Sequence, residues 1–102
     1  MIEVKQMAGG DPLRFDVVVT SGGTTTRHEV TISARDCARL AERAAPDQVV
    51  EAAFRFLLDR EPKESILGRF DVQVIGTYFP EFERTLPEYL RPRSIGRAPE
   101  GR

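Results

Sequence analysis

The sequence has few of the residues from which metal and catalytic sites are usually built. Its 102 residues include one Cys, Cys37, one His, His28, and no Trp. One thiol excludes a disulfide within the chain, and one Cys with one His cannot complete a Cys/His zinc site. The 15 basic and 16 acidic residues give a net charge of -1. Such a balance provides no general attraction for nucleic acid or for an anionic membrane.

Long apolar runs are also missing. No segment approaches the roughly 20 consecutive apolar residues that span a bilayer. The first residues include the acidic Glu3 and no apolar core of signal-peptide length. We therefore expect a cytoplasmic protein in which Cys37 is a free thiol. Arg greatly outnumbers Lys, a bias typical of GC-rich genomes, and this suggests a bacterial source.

Charge is divided unevenly along the chain. Four Arg and one Glu give residues 91–102 a net charge of +3, which leaves -4 for residues 1–90. The last twelve residues also contain Pro and Gly and little apolar surface, so burial cannot compensate for the entropy of ordering them. We predict a single α+β domain over residues 1–90 and a disordered basic tail over residues 91–102.

A β-hairpin is the strongest structural prediction. Two segments rich in β-branched residues, 15–20 and 27–32, flank Gly22-Gly23, which supply the positive φ angles of a two-residue turn. This loop predicts four cross-strand pairs: Leu13 with Ile32, Phe15 with Val30, Val17 with His28, and Val19 with Thr26. Nearly all large apolar side chains then lie on one face, as a specified register requires. Upstream, Ile2 and Val4 have the spacing of a strand.

Three or four short helices are expected to pack on the hairpin. Ser33 and Asp36 nearly match a capping box, and an apolar face that includes Cys37 follows. Residues 46–60 form the most apolar segment and predict a buried central helix opened by Pro46. A third short helix is expected over residues 63–67.

The region after Gly68 has two interpretations. Residues 70–75 alternate like a strand, yet they also fit a helix capped by Asp71. We favour the helix, because a strand here would have to reach back to the hairpin. Pro80 opens a further helical segment, and Pro87 is expected to end the ordered part, with Tyr89 and Leu90 the last packed residues.

The sequence offers no convincing catalytic group. His28 lies on the apolar face of the predicted hairpin, which favours a structural histidine. Cys37 lies on an apolar helix face, where a thiol behaves as a small hydrophobe, although a helix N-terminus nearby lowers a thiol pKa. The glycine pairs lack the spacing of a phosphate-binding loop. We expect neither an enzyme nor a bound cofactor or metal.

Nucleic-acid binding is the alternative function. Arginines recur every fourth residue on the first helix, and further arginines lie in the tail; the candidate contacts are Arg35, Arg39, Arg43, Arg91, Arg93 and Arg97. Asp36 and Glu42 border the helical arginines, and the second helix is too apolar to lie in a groove of DNA. We therefore rank this alternative below a protein-binding function.

The sequence has more large apolar side chains than one small core can easily bury. Partly exposed aromatic and aliphatic residues usually mark an interface, and a hairpin adds unpaired strand edges. The candidate interface residues are Phe56, Leu58, Tyr78, Phe79 and Phe82. The sequence thus predicts a small non-enzymatic protein that acts through protein–protein contacts, either with a partner or with itself as a homodimer.

Overall fold

The computed structural model describes residues 1–40 and 44–90. In that part of the chain it confirms the predicted α+β class. The elements in chain order are β1 (Ile2–Ala8), β2 (Leu13–Ser21), β3 (Thr24–Ile32), α1 (Ala34–Leu40), α2 (Pro46–Leu58), a 3₁₀ turn (Lys63–Ser65), β4 (Arg69–Asp71), α3 (Gln73–Tyr78) and α4 (Phe82–Leu90). The predicted tail over residues 91–102 lies outside the described residues.

The strands form one sheet in the order β1-β2-β3-β4. Strands β1, β2 and β3 run antiparallel, and β2 pairs with β3 in the predicted register, including Val17 opposite His28. Gly22 and Gly23 have φ angles of 62° and 81°. The tight turn therefore requires two residues that tolerate positive φ, as the Gly-Gly pair indicated.

The region after Gly68 is divided between the two predicted structures. Residues 69–71 form β4, which pairs parallel with β3, so a strand does reach back to the hairpin, contrary to the reason given for favouring a helix alone. The helix begins at Gln73, whose backbone N–H donates to Asp71 Oδ1 at 2.9 Å. Thr31 Oγ1 donates to the other oxygen of Asp71 at 2.7 Å. Asp71 thus joins the end of β4 to both the hairpin and α3.

Helix α2 is the centre of the core, as its composition predicted. Seven of its residues are buried: Val49, Val50, Ala52, Ala53, Phe54, Phe56 and Leu57. The same cluster contains the helix-facing residues of the hairpin, among them Phe15, Val17, Val30 and Ile32, and reaches Phe82 and Leu86 of α4. The other face of the sheet carries ion pairs such as Arg14 with Glu29 and Arg27 with Asp16. The fold is a sheet covered by helices on one face.

Two predicted helix boundaries differ from the structure. The third helix is shorter than expected, because only residues 63–65 form a 3₁₀ turn. Helix α4 continues through Pro87 to Leu90, so Pro87 does not end the ordered chain. A proline in a helix removes one N–H donor, and here the burial of Phe82 and Leu86 on the core side of α4 compensates for that loss. The expected cap of α1 is present, since Asp36 N–H donates to Ser33 Oγ at 3.0 Å.

Candidate binding groove

An apolar groove of about 280 Å³ opens where the C-terminal end of α2 meets the 3₁₀ turn and α3. Apolar side chains from the end of α2, from the loop after the 3₁₀ turn, from β4 and from the end of α3 line it: Leu57, Ile66, Leu67, Phe70, Tyr78 and Phe79. Leu57 and Ile66 are buried, whereas Leu67 is 49% exposed and Tyr78 is 66% exposed. The groove thus has a packed floor and an apolar rim that solvent reaches.

The charge of the groove is low and negative. Among the lining residues in the described part of the chain, Glu61 is the one charged side chain, and Ser65 adds a hydroxyl. A concave apolar surface with a few polar groups is the usual form of a ligand or peptide site. Its chemistry therefore suits an apolar side chain that has a basic neighbour.

Two long-range contacts hold the loop that forms one wall. His28 is buried, and its Nδ1 lies 2.8 Å from the carbonyl oxygen of Leu67. Because a carbonyl only accepts, Nδ1 donates this hydrogen bond, and Nε2 lies 2.8 Å from Thr26 Oγ1. Lys63 is also buried, and its Nζ donates to the Ser21 carbonyl oxygen at 3.0 Å. The hairpin thus fixes both ends of this loop.

The turn of the hairpin contacts the same loop through Glu64. Lys63 Nζ lies 2.8 Å from Glu64 Oε2, and Thr24 Oγ1 donates to that oxygen at 3.4 Å. The hydrogen bond from Lys63 is the main cause that lowers the pKa of Glu64, followed by a bond from its own backbone N–H. An ionised Glu64 therefore helps to orient the ammonium group that holds the Ser21 carbonyl.

The five candidate interface residues fall into three groups. Phe56 and Phe82 are buried in the core, with exposures of 0% and 2%, so the expected partial exposure is wrong for them. Leu58 is half-buried. Tyr78 and Phe79 line the groove. Phe56 and Phe82 are buried because the aromatic rings of α3 and α4 pack edge-on against Phe56.

The arginines proposed for nucleic-acid binding do not form one free basic stripe in the described residues. Arg35 is exposed, but Arg39 is paired with Asp36 at 3.0 Å and also with Glu83 of α4. The hydrogen bonds to Glu83 and Asp36 raise the pKa of Arg39. Arg43, Arg91, Arg93 and Arg97 lie outside the described residues. Nucleic-acid binding stays a prediction.

The remaining reactive side chains are engaged in packing. Cys37 is partly buried against the core, and desolvation by that burial raises its thiol pKa. A raised pKa reduces the thiolate fraction and with it the nucleophilicity of the sulfur. Both ring nitrogens of His28 have hydrogen-bond partners. Residues 1–40 and 44–90 contain no group of three or more His, Cys, Asp or Glu placed to hold a metal ion.

Sequence reasoning missed most of the groove. Ile66 and Leu67 were not singled out, because they come from a loop whose position depends on His28 and Lys63 contacts far away in sequence. One signal was present: Ile66 and Leu67 are adjacent apolar residues beside Gly68, and a short helix cannot bury both.

Within the described ranges no helix is long and apolar enough to cross a membrane. Comparisons of the chain with models of protein families, with curated proteins and with solved structures gave no match.

Proposed function

We propose that this is a non-enzymatic bacterial protein of the cytoplasm that acts through protein–protein contacts, and that the groove binds an apolar side chain of a partner. The observation that carries the proposal is the apolar groove with its half-exposed Leu67 and its largely exposed Tyr78. Exposed aromatic residues next to a packed concave surface are typical of the energetic centres of interfaces.

The charge and rigidity of the groove indicate which residues a bound partner segment should contain. Glu61 favours Lys or Arg next to the bound apolar residue. The loop that carries Leu67 is held by the His28 and Lys63 contacts, so a partner loses little affinity to ordering the site. We therefore propose a short protein segment with a bulky apolar residue beside a basic one.

A selection from a phage-displayed library of random peptides tests this proposal. The full chain is expected to enrich peptides that pair a bulky apolar residue with Lys or Arg. A selected peptide, labelled with a fluorophore, is then titrated with variants of the protein. Tyr78→Asp and Leu67→Asp should each weaken binding by about tenfold or more, because a carboxylate would have to be buried against the apolar rim.

A matched control comes from the same helix. Thr77 is exposed on α3 and does not line the groove, so Thr77→Asp adds the same charge at the neighbouring position and should bind the peptide like the wild-type protein. Enrichment of no peptide, or an equal loss of binding in Thr77→Asp and Tyr78→Asp, would contradict the proposal.

A further inference from the structure

Strand β1 is an edge of the sheet. In the described part of the chain it has a neighbouring strand, β2, on one side only. Its helix-facing residues Ile2 and Val4 are half-buried and pack at the border of the core. An edge strand presents backbone groups that another strand can pair with, and half-buried apolar residues beside it gain burial from such pairing.

The hydrogen bonds to β2 decide which backbone groups point outward. Met1 and Thr20 exchange both of their bonds, with Met1 N to Thr20 O at 2.7 Å and Thr20 N to Met1 O at 2.9 Å. In an antiparallel pair such doubly bonded residues alternate with residues that point away. Glu3 and Lys5 therefore direct their backbone groups to β2, while Ile2 and Val4 direct theirs to the open edge.

We propose that two copies of this chain form a symmetric dimer through β1. The strands pair antiparallel about a twofold axis, with Val4 of one copy opposite Val4 of the other. The outward N–H and C=O groups of the two valines then bond to each other. This register places Glu3 of each copy directly opposite Lys5 of the other, as a non-hydrogen-bonded pair with closely spaced side chains.

Charge selects this register over its neighbours. The registers that keep the outward-pointing residues of the two strands opposite each other differ from one another by two in the sum of the paired residue numbers. The register one step lower places Glu3 opposite Glu3 on the axis, and the register one step higher places Lys5 opposite Lys5. Like charges directly opposite each other are destabilising. A charged residue on an edge strand usually prevents pairing. Here the alternating signs of Glu3 and Lys5 make the edge complementary to itself.

Sedimentation velocity of the full chain over a wide range of concentration tests the dimer. We expect a reversible monomer–dimer equilibrium. Val4→Pro removes an N–H that β2 does not use, and proline is tolerated at such edge positions, so this variant should remain folded and monomeric. This test is independent of the groove, because Tyr78→Asp should not change the dimer.

A charge exchange tests the register. Glu3→Lys should raise the dimer dissociation constant by about tenfold, because it creates two Lys–Lys pairs. Glu3 lies opposite Val18 within the chain, so this change leaves no charge unpaired against β2. Lys5 lies opposite Asp16 within the chain, so Lys5→Glu places two carboxylates opposite each other in the monomer and in the dimer alike. The double variant Glu3→Lys, Lys5→Glu has the net charge of the wild-type protein and, once shown to be folded, should restore the constant to within about threefold.

Three results would overturn the proposal. These are a wild-type protein that stays monomeric at every concentration, a dimer that Val4→Pro leaves intact, and a dissociation constant that does not respond to Glu3→Lys or that the double variant fails to restore. Circular dichroism of each variant confirms that the compared proteins are folded.

Discussion

The two sides of helix α2 are buried against different parts of the fold. Phe54 and Phe56 are two residues apart and thus about 200° apart around the helix, and both are fully buried. Phe54 faces the sheet, with the His28 ring at 5.2 Å and the Phe70 ring at 5.9 Å. Phe56 faces α3 and α4, where three aromatic rings meet it edge-on: Phe79, Phe82 and Tyr89.

Polar groups close the two sides in different ways. On the sheet side, the buried His28 and Lys63 bond to the fixed carbonyl groups of Leu67 and Ser21. On the helix side, the Arg60 guanidinium lies 3.6 Å from the centre of the Phe56 ring and donates to Glu81 at 3.1 Å. Arg60 also donates to the Phe56 carbonyl oxygen at 3.2 Å. The sheet side thus has two buried polar groups, and the helix side has one guanidinium that bonds to both backbone and side-chain oxygens.

The groove lies where the two sides of α2 meet, since Phe70, which packs against Phe54, also lines it. Phe79 both packs against Phe56 and lines the groove. The groove therefore lies between β4, at the edge of the sheet, and α3.

The largest effect expected from this comparison comes from removing the two rings. Phe56→Ala should lower the free energy of unfolding by about 4–5 kcal/mol and Phe54→Ala by about 3–4 kcal/mol. Phe56 loses more because it has three edge-on aromatic neighbours and a cation above its face. Urea unfolding of both variants measures the difference. An equal or reversed order would show that the aromatic contacts of Phe56 add nothing beyond its buried area.

An intermediate effect is expected at His28. The variant His28→Phe keeps a ring beside Phe54 but leaves the Leu67 carbonyl and the Thr26 hydroxyl without their partner, at a cost of about 1–3 kcal/mol. Thr26→Val, which removes one of these bonds, should cost less. Amide hydrogen exchange at Glu29, whose N–H donates to the Gly68 carbonyl oxygen at 2.8 Å, should become faster in His28→Phe than in Thr26→Val. Unchanged exchange would mean that His28 does not hold the groove wall.

The smallest expected effect is on how the free energy of unfolding changes as the pH is lowered. The pKa of Glu64 is lowered chiefly by its bond with Lys63, and that of Glu81 by its own backbone N–H and then by Arg60. Because both folded values lie below the ordinary 4.5, the stabilisation is complete above that pH and is lost as the pH falls through the lowered values. Urea unfolding between pH 7 and pH 3 should show a shallower decline for Glu64→Gln and Glu81→Gln than for the wild-type protein. Identical slopes would argue against both ion pairs.

Local patterns predicted the elements whose contacts are close in sequence. The hairpin register follows from Gly22-Gly23 and the alternation of apolar residues, and all four predicted pairs are present. The apolar composition of residues 46–60 predicted the central helix. That same composition did not show which aromatic rings are exposed, because apolar residues surround nearly the whole helix. The partial exposure expected for Phe56 and Phe82 was wrong for this reason.

The sequence by itself determined the hairpin, the cap of α1 and the buried position of α2, since these depend on turn geometry, local capping and the spacing of apolar residues. Only the tertiary structure decided the parallel pairing of β4 with β3, the bond from Lys63 to Ser21 and the shape of the groove. Each of these joins residues that are about 40 positions apart or come from several elements. No local propensity encodes such contacts, because their energy appears only after the core has brought the segments together.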